Sequence, residues 1–150
     1  MSIAIALHIL AAVVWVGGMF FALLILRSAV GVLEPPLRLS LWDCVFGRFF
    51  PWVWIAIAVL LASGYWMIFA DRGGFADLPI YLHVMQGIGW LMVLIYLFLW
   101  FVPYKLFKAV LAAGTLPEAG RYLNQIRWIV TTNLVLGLLN VIIGAAGRFW

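Results

Sequence analysis

The sequence is short of charge. Only 9% of its 150 residues are Asp, Glu, Lys or Arg, while 68% are hydrophobic. A soluble domain of this size carries about 25% charged residues, because a small globule must cover its core with polar surface. Here there is too little polar material to cover anything. Cysteine is scarcer still. Cys44 stands alone, which excludes an intrachain disulfide and a paired-cysteine metal site. No basic stretch precedes the first apolar run, and that run is longer than the apolar region of a secretory signal. It is therefore expected to be a retained helix. Acidic residues number five against nine basic ones, a net charge of +4. So small an excess is a topology signal, and no nucleic-acid partner is expected.

Lys, Arg, Asp and Glu are missing from four long stretches, residues 3–26, 49–70, 80–102 and 128–146. Spanning a bilayer takes roughly 20 apolar residues, and all four stretches are near or above that length. The expected fold is all-α, an integral membrane four-helix bundle forming a single domain over residues 1–150. Its transmembrane helices are expected at 3–26, 49–70, 80–103 and 126–147.

The basic residues divide unevenly between the two sides. Arg27, Arg38, Arg48, Lys105, Lys108, Arg121 and Arg127 fall in the first and third connections, against Arg72 and Arg148 on the other side. Positive charge stays cytoplasmic, so both termini are expected in the periplasm of a bacterial inner membrane. Between helices 1 and 2, residues 37–50 place Leu41, Trp42, Val45, Phe46 and Phe49 along one face. They predict a cytoplasmic amphipathic segment at the membrane surface, ended or kinked near Pro51. In the third connection Gly114 is the expected cap of helix 3. Thr115 and Glu118 form the pattern of a capping box at the start of helix 4.

Histidine occurs only twice. His8 and His83 lie near the outer ends of helices 1 and 3, some 5–8 Å deep at about 1.5 Å per residue. Each is followed seven residues on by a tryptophan, Trp15 and Trp90, flanked by Gly17 and Gly18 or by Gly87 and Gly89. Two helical turns put each tryptophan on its histidine's face. The helix pairs 1–2 and 3–4 then read as a parallel repeat about an axis along the membrane normal, which would turn the histidines toward each other. An ionisable residue inside a bilayer is a functional-site hypothesis by default. No Asp, Glu or Cys lies in the spans to complete a zinc site, whereas a haem asks the protein only for axial ligands. Gln86 is the candidate orienting partner of His83. Arg72 and Arg148 are candidates for haem propionates at the outer edge. Asn133 and Asn140 share a face of helix 4 and read as interhelical hydrogen-bond glue.

The stretch from Ala6 through His8 and Trp15 to Gly17-Gly18, then Phe50-Pro51, Ser63-Gly64-Tyr65-Trp66 and His83-Val84-Met85-Gln86-Gly87, resembles the CopD-type membrane domain named for copper resistance. The likeness runs over essentially the whole chain, and its name implies copper. A more distant similarity is to HemJ, a haem-binding membrane family linked to protoporphyrinogen oxidation. It rests on His8, Trp15 and Gly18. Where that family has His-x-Lys, this chain has His83-Val84-Met85, and Arg27 comes too late to match its helix 1 arginine.

The expectation drawn from the residues is a haem b protein with His8 and His83 as axial ligands and Trp15, Trp90, Gly18, Gln86, Arg72 and Arg148 about the cofactor. Such a protein would transfer single electrons at the periplasmic face, with quinone or a periplasmic redox partner, as a haem-dependent membrane oxidoreductase. The alternative is copper transport or homeostasis with Met67 and Met85 joining the histidines, since Cu(I) favours thioethers. HemJ-like porphyrin oxidation is a further alternative. Beyond the lipid bilayer, the reading leaves partners and a homo-oligomer open.

Overall fold

A computed structural model describes residues 2–149, and the side chain of Arg148 lies outside the described residues. Four helices carry the fold: α1 (Ser2–Val32), α2 (Pro35–Arg72), α3 (Ile80–Ala112) and α4 (Leu116–Ala146). Each is long and apolar enough to cross a membrane. The protein is an all-α membrane bundle, as the charge-free runs imply. α1 lies against α2 and α4, and α4 lies against α3. The α2 and α3 backbones stay farther apart, and aromatic rings fill the gap. Trp54 meets Tyr96 at 5.3 Å and Trp100 at 5.8 Å, both edge-on. Trp15 of α1 reaches Tyr96 at 6.2 Å.

At 31 to 38 residues, all four helices are longer than the roughly 20 that span a bilayer. α2 is a single helix of 38 residues with Pro51 inside it, roughly 57 Å at about 1.5 Å per residue. That corrects the expectation of a separate surface segment over residues 37–50. Leu39, Trp42, Phe46 and Phe50 are buried, and the C-terminal part of α3 gives this stripe a partner. Phe46 stacks on Phe50 at 5.1 Å and meets Tyr104 and Phe107 edge-on at 6.0 Å each. The Tyr96 hydroxyl donates to the Phe50 carbonyl at 3.0 Å, beside the proline.

The connections are tight. Pro35 and Pro36 occupy the first turn of α2, where the missing N–H groups cost nothing. The Arg38 guanidinium donates back to the carbonyls of Leu33 and Gly31, closing the first turn. Gly73 caps α2 in the left-handed region at φ 68°, a conformation that favours glycine. Gly114, at φ 77°, follows α3 as expected. The capping box does not form. Thr115 caps no N–H of α4; its hydroxyl donates to the Val110 carbonyl at 2.8 Å. It closes α3 instead of opening α4.

α1, α3 and α4 converge at Gly137. A Cβ there would sit 2.9 Å from Val16 Cγ2 and 3.1 Å from Met92 Cε. Met92 can bend away, but Val16 is branched at Cβ and stiff. Gly137→Ala is therefore expected to cost about 1–3 kcal/mol, read as a lower midpoint of unfolding in mixed micelles. An unchanged midpoint would mean that the helices do not meet there.

Candidate functional site

α1 buries a stripe of Ala11, Trp15 and Met19. Toward the N-terminus, the same stripe passes through His8, two turns from Trp15. His8 is half-buried and faces α2. Its Nδ1 lies 2.9 Å from Ser63 Oγ. Ser63 is itself buried, and its hydroxyl contacts the Val59 carbonyl at 2.5 Å and the Leu60 carbonyl at 3.4 Å. The next residue, Gly64, lets the α2 backbone come up to the ring: a Cβ there would be 3.3 Å from His8 Cε1. One turn C-terminal to Ser63 is the half-buried Met67. Side chains lean toward the N-terminus of their own helix, which for α2 carries the Met67 thioether back toward the level of His8.

His83 is placed differently. The buried face of α3 is Met92, Val93, Tyr96 and Leu99. Nine residues separate His83 from Met92, roughly half a turn out of phase at 3.6 residues per turn. His83 is exposed. Trp90 shares its flank and is exposed too, at 42% against 3% for Trp15. Its indole N–H donates to the Tyr65 hydroxyl at 2.8 Å. The expected twofold correspondence between the His8–Trp15 and His83–Trp90 pairs therefore breaks down, because Met92 and Tyr96 take the core-facing position on α3. The histidines do not face each other across the core.

The other sequence candidates separate as well. Gly18 accommodates the Phe49 ring of α2, which occupies the space a Cβ would need. Its role here is helix packing. Gln86 is half-buried and forms no hydrogen bond with His83 among the described residues. Met85 turns to α4, where its Cε and Sδ lie 3.2 and 3.4 Å from a Cβ built on Gly144. That is away from His83, as its two-residue offset implies. Arg72 is exposed in the last turn of α2. Asn133 is buried and its Nδ2 donates to the Met92 carbonyl at 3.3 Å, the interhelical bond expected of it.

These side chains give a bis-histidine haem site no support. One imidazole is on the core stripe, hydrogen-bonded to a neighbouring helix, and the other is on an exposed flank. Nor do three or more His, Cys, Asp or Glu groups cluster around a common metal position among the described residues. What remains is one inward imidazole beside a thioether-bearing stripe. Sequence reasoning named Ser63 only within the CopD resemblance and missed it as the partner of His8. The available signal was the Ser63-Gly64 step, a hydroxyl next to a residue with no side chain.

A family model described as copper resistance protein D (CopD) matches residues 44–146, more than half of the chain. The matched stretch includes Ser63, Met67 and His83 and leaves His8 outside it. No curated protein and no solved structure matches the chain, and the similarity to HemJ gains no support.

Proposed function

The chain belongs to the copper resistance protein D family, and on that premise we propose that it handles copper, taking Cu(I) at the outer end of its bundle through His8 and Met67. The observation that carries this reading is the placement of His8, inward-facing on α1 and hydrogen-bonded to Ser63 of α2, one helical turn from Met67. Imidazole suits copper, and the thioether of methionine selects the Cu(I) state. A site of one imidazole and one thioether is coordinatively spare, which suits an ion that is passed on. Copper is then cargo in transport or homeostasis. Met92 and Met19 lie deeper, both buried in the core, and are the thioethers available below the entry site. The preparation should be colourless, bind about one equivalent of Cu(I) and show no Soret band. A red protein with a sharp Soret absorption would replace this reading with haem.

The site opens toward the periplasm in this proposal, because seven of the nine basic residues flank the opposite ends of the helices and basic connections stay in the cytoplasm. Phosphatase fusions after Trp150 should be active, and those within residues 112–114 inactive. The reverse pattern would put the His8 end of the bundle in the cytoplasm.

A further inference from the structure

Ser63 Oγ lies 2.9 Å from His8 Nδ1 and 2.5 Å from the Val59 carbonyl oxygen. A hydroxyl has one proton to give. Two oxygens at 2.5 Å repel unless that proton lies between them, and a backbone carbonyl has none to offer. The Ser63 proton is therefore committed to Val59. Toward His8 the Ser63 oxygen can only accept, so the imidazole must donate from Nδ1. In a neutral imidazole one ring nitrogen carries the proton and the other is bare. The bare one here is Nε2, a lone pair with no proton to displace.

We infer that Ser63 is a positioning residue that fixes His8 in the Nδ1–H tautomer and thereby presents Nε2 as a metal ligand. The metal half of this statement rests on reading His8 as a copper ligand; the tautomer half does not. Ligating histidines commonly have the second nitrogen anchored by a hydrogen-bond acceptor, which sets ring orientation and basicity. Here a serine acts as that acceptor and passes the bond on to the α2 backbone. Gly64 completes the arrangement. Its missing Cβ leaves His8 Cε1, the carbon between the two nitrogens, its place against the helix, and a methyl group at 3.3 Å would press on the ring.

The experiment is nitrogen NMR of metal-free, histidine-labelled protein in micelles, with His83→Gln so that only His8 reports. The expected spectrum shows a protonated, pyrrole-type Nδ1 and a bare, pyridine-type Nε2. Ser63→Ala should give a mixture of tautomers, and Ser63→Thr, which keeps the hydroxyl, should restore one. Cu(I) affinity, measured by chelator competition on the same variants with His83 intact, should fall about 10- to 100-fold in Ser63→Ala and stay within a few-fold in Ser63→Thr. A protonated Nε2 in the Ser63 protein, alone or together with Nδ1, overturns the inference whatever copper does, even if Ser63→Ala fails to fold. An undiminished Cu(I) affinity in Ser63→Ala overturns it too. The expected tautomer in a protein that binds no copper supports the positioning and overturns the copper reading alone.

Discussion

His8→Ala should weaken Cu(I) binding by more than about 100-fold, beyond the 10- to 100-fold typical of losing a residue that merely orients a ligand. His83→Ala should leave the affinity within a few-fold of wild type. The asymmetry follows from placement: His8 is on the buried stripe of α1 and hydrogen-bonded to α2, while His83 is exposed on α3, half a turn from Met92. Met67→Leu removes the only thioether on the α2 stripe beside His8 and should cost roughly tenfold or more, since Cu(I) binding leans on soft ligands. Met85→Leu should change little, because Met85 packs against Gly144 of α4. Chelator competition in detergent measures all four. Equal losses in His8→Ala and His83→Ala would show that the two histidines share one site, and the bis-histidine arrangement would have to be reinstated.

The largest effect on stability is expected far from the site. Phe107 is fully buried, at 0% exposure, with its ring edge-on to Phe46 at 6.0 Å. It lies beyond the charge-free run 80–102, between Lys105 and Lys108, where water rather than lipid is the expected alternative environment. Truncating such a ring removes both the transfer free energy and the packing around it, about 3–5 kcal/mol for Phe→Ala. Phe107→Ala should therefore bring down the unfolding midpoint more than Gly137→Ala does. It should also expose the adjoining α2 turns near Trp42 and Phe46 to amide exchange. If residues 37–50 were an independent helix lying on the membrane surface, Phe107→Ala would leave their protection untouched. The mutation thus separates a continuous 38-residue α2 from an α2 broken at Pro51.

What the sequence reveals and what it hides divide along a physical line. The four spans are legible because a bilayer excludes charge, and the charge-free runs report that exclusion directly. The ends of the helices are nearly as legible at Pro35-Pro36, Gly73 and Gly114, since each residue's backbone preference acts locally. The phase of α3 is hidden. In water an apolar stripe marks the buried face of a helix, but lipid tails are as apolar as a protein core, so the exposed Leu94 and Phe98 look no different from the buried Val93 and Leu99. With no stripe to fix the rotation, the seven-residue spacing of His83 and Trp90 is readable as a copy of His8 and Trp15. The structure turns that pair onto a flank. The passage of α2 through Pro51 is hidden for a related reason. Proline breaks a helix that stands alone, and only the surrounding rings of Tyr96, Trp100 and Tyr104 reveal that this one does not. Thr115 teaches the reverse lesson: its pattern with Glu118 is right for a cap, but its hydroxyl has a nearer acceptor in Val110.

Copper K-edge X-ray absorption of the protein loaded with one equivalent of Cu(I) tests the central claim most directly, because it counts the atoms around the ion. The account predicts a low-coordinate Cu(I) centre with one imidazole nitrogen and at least one sulfur in its first shell. The sulfur should disappear in Met67→Leu and the imidazole in His8→Ala. A first shell of two imidazoles without sulfur, or one that is unaltered by both substitutions, would contradict it.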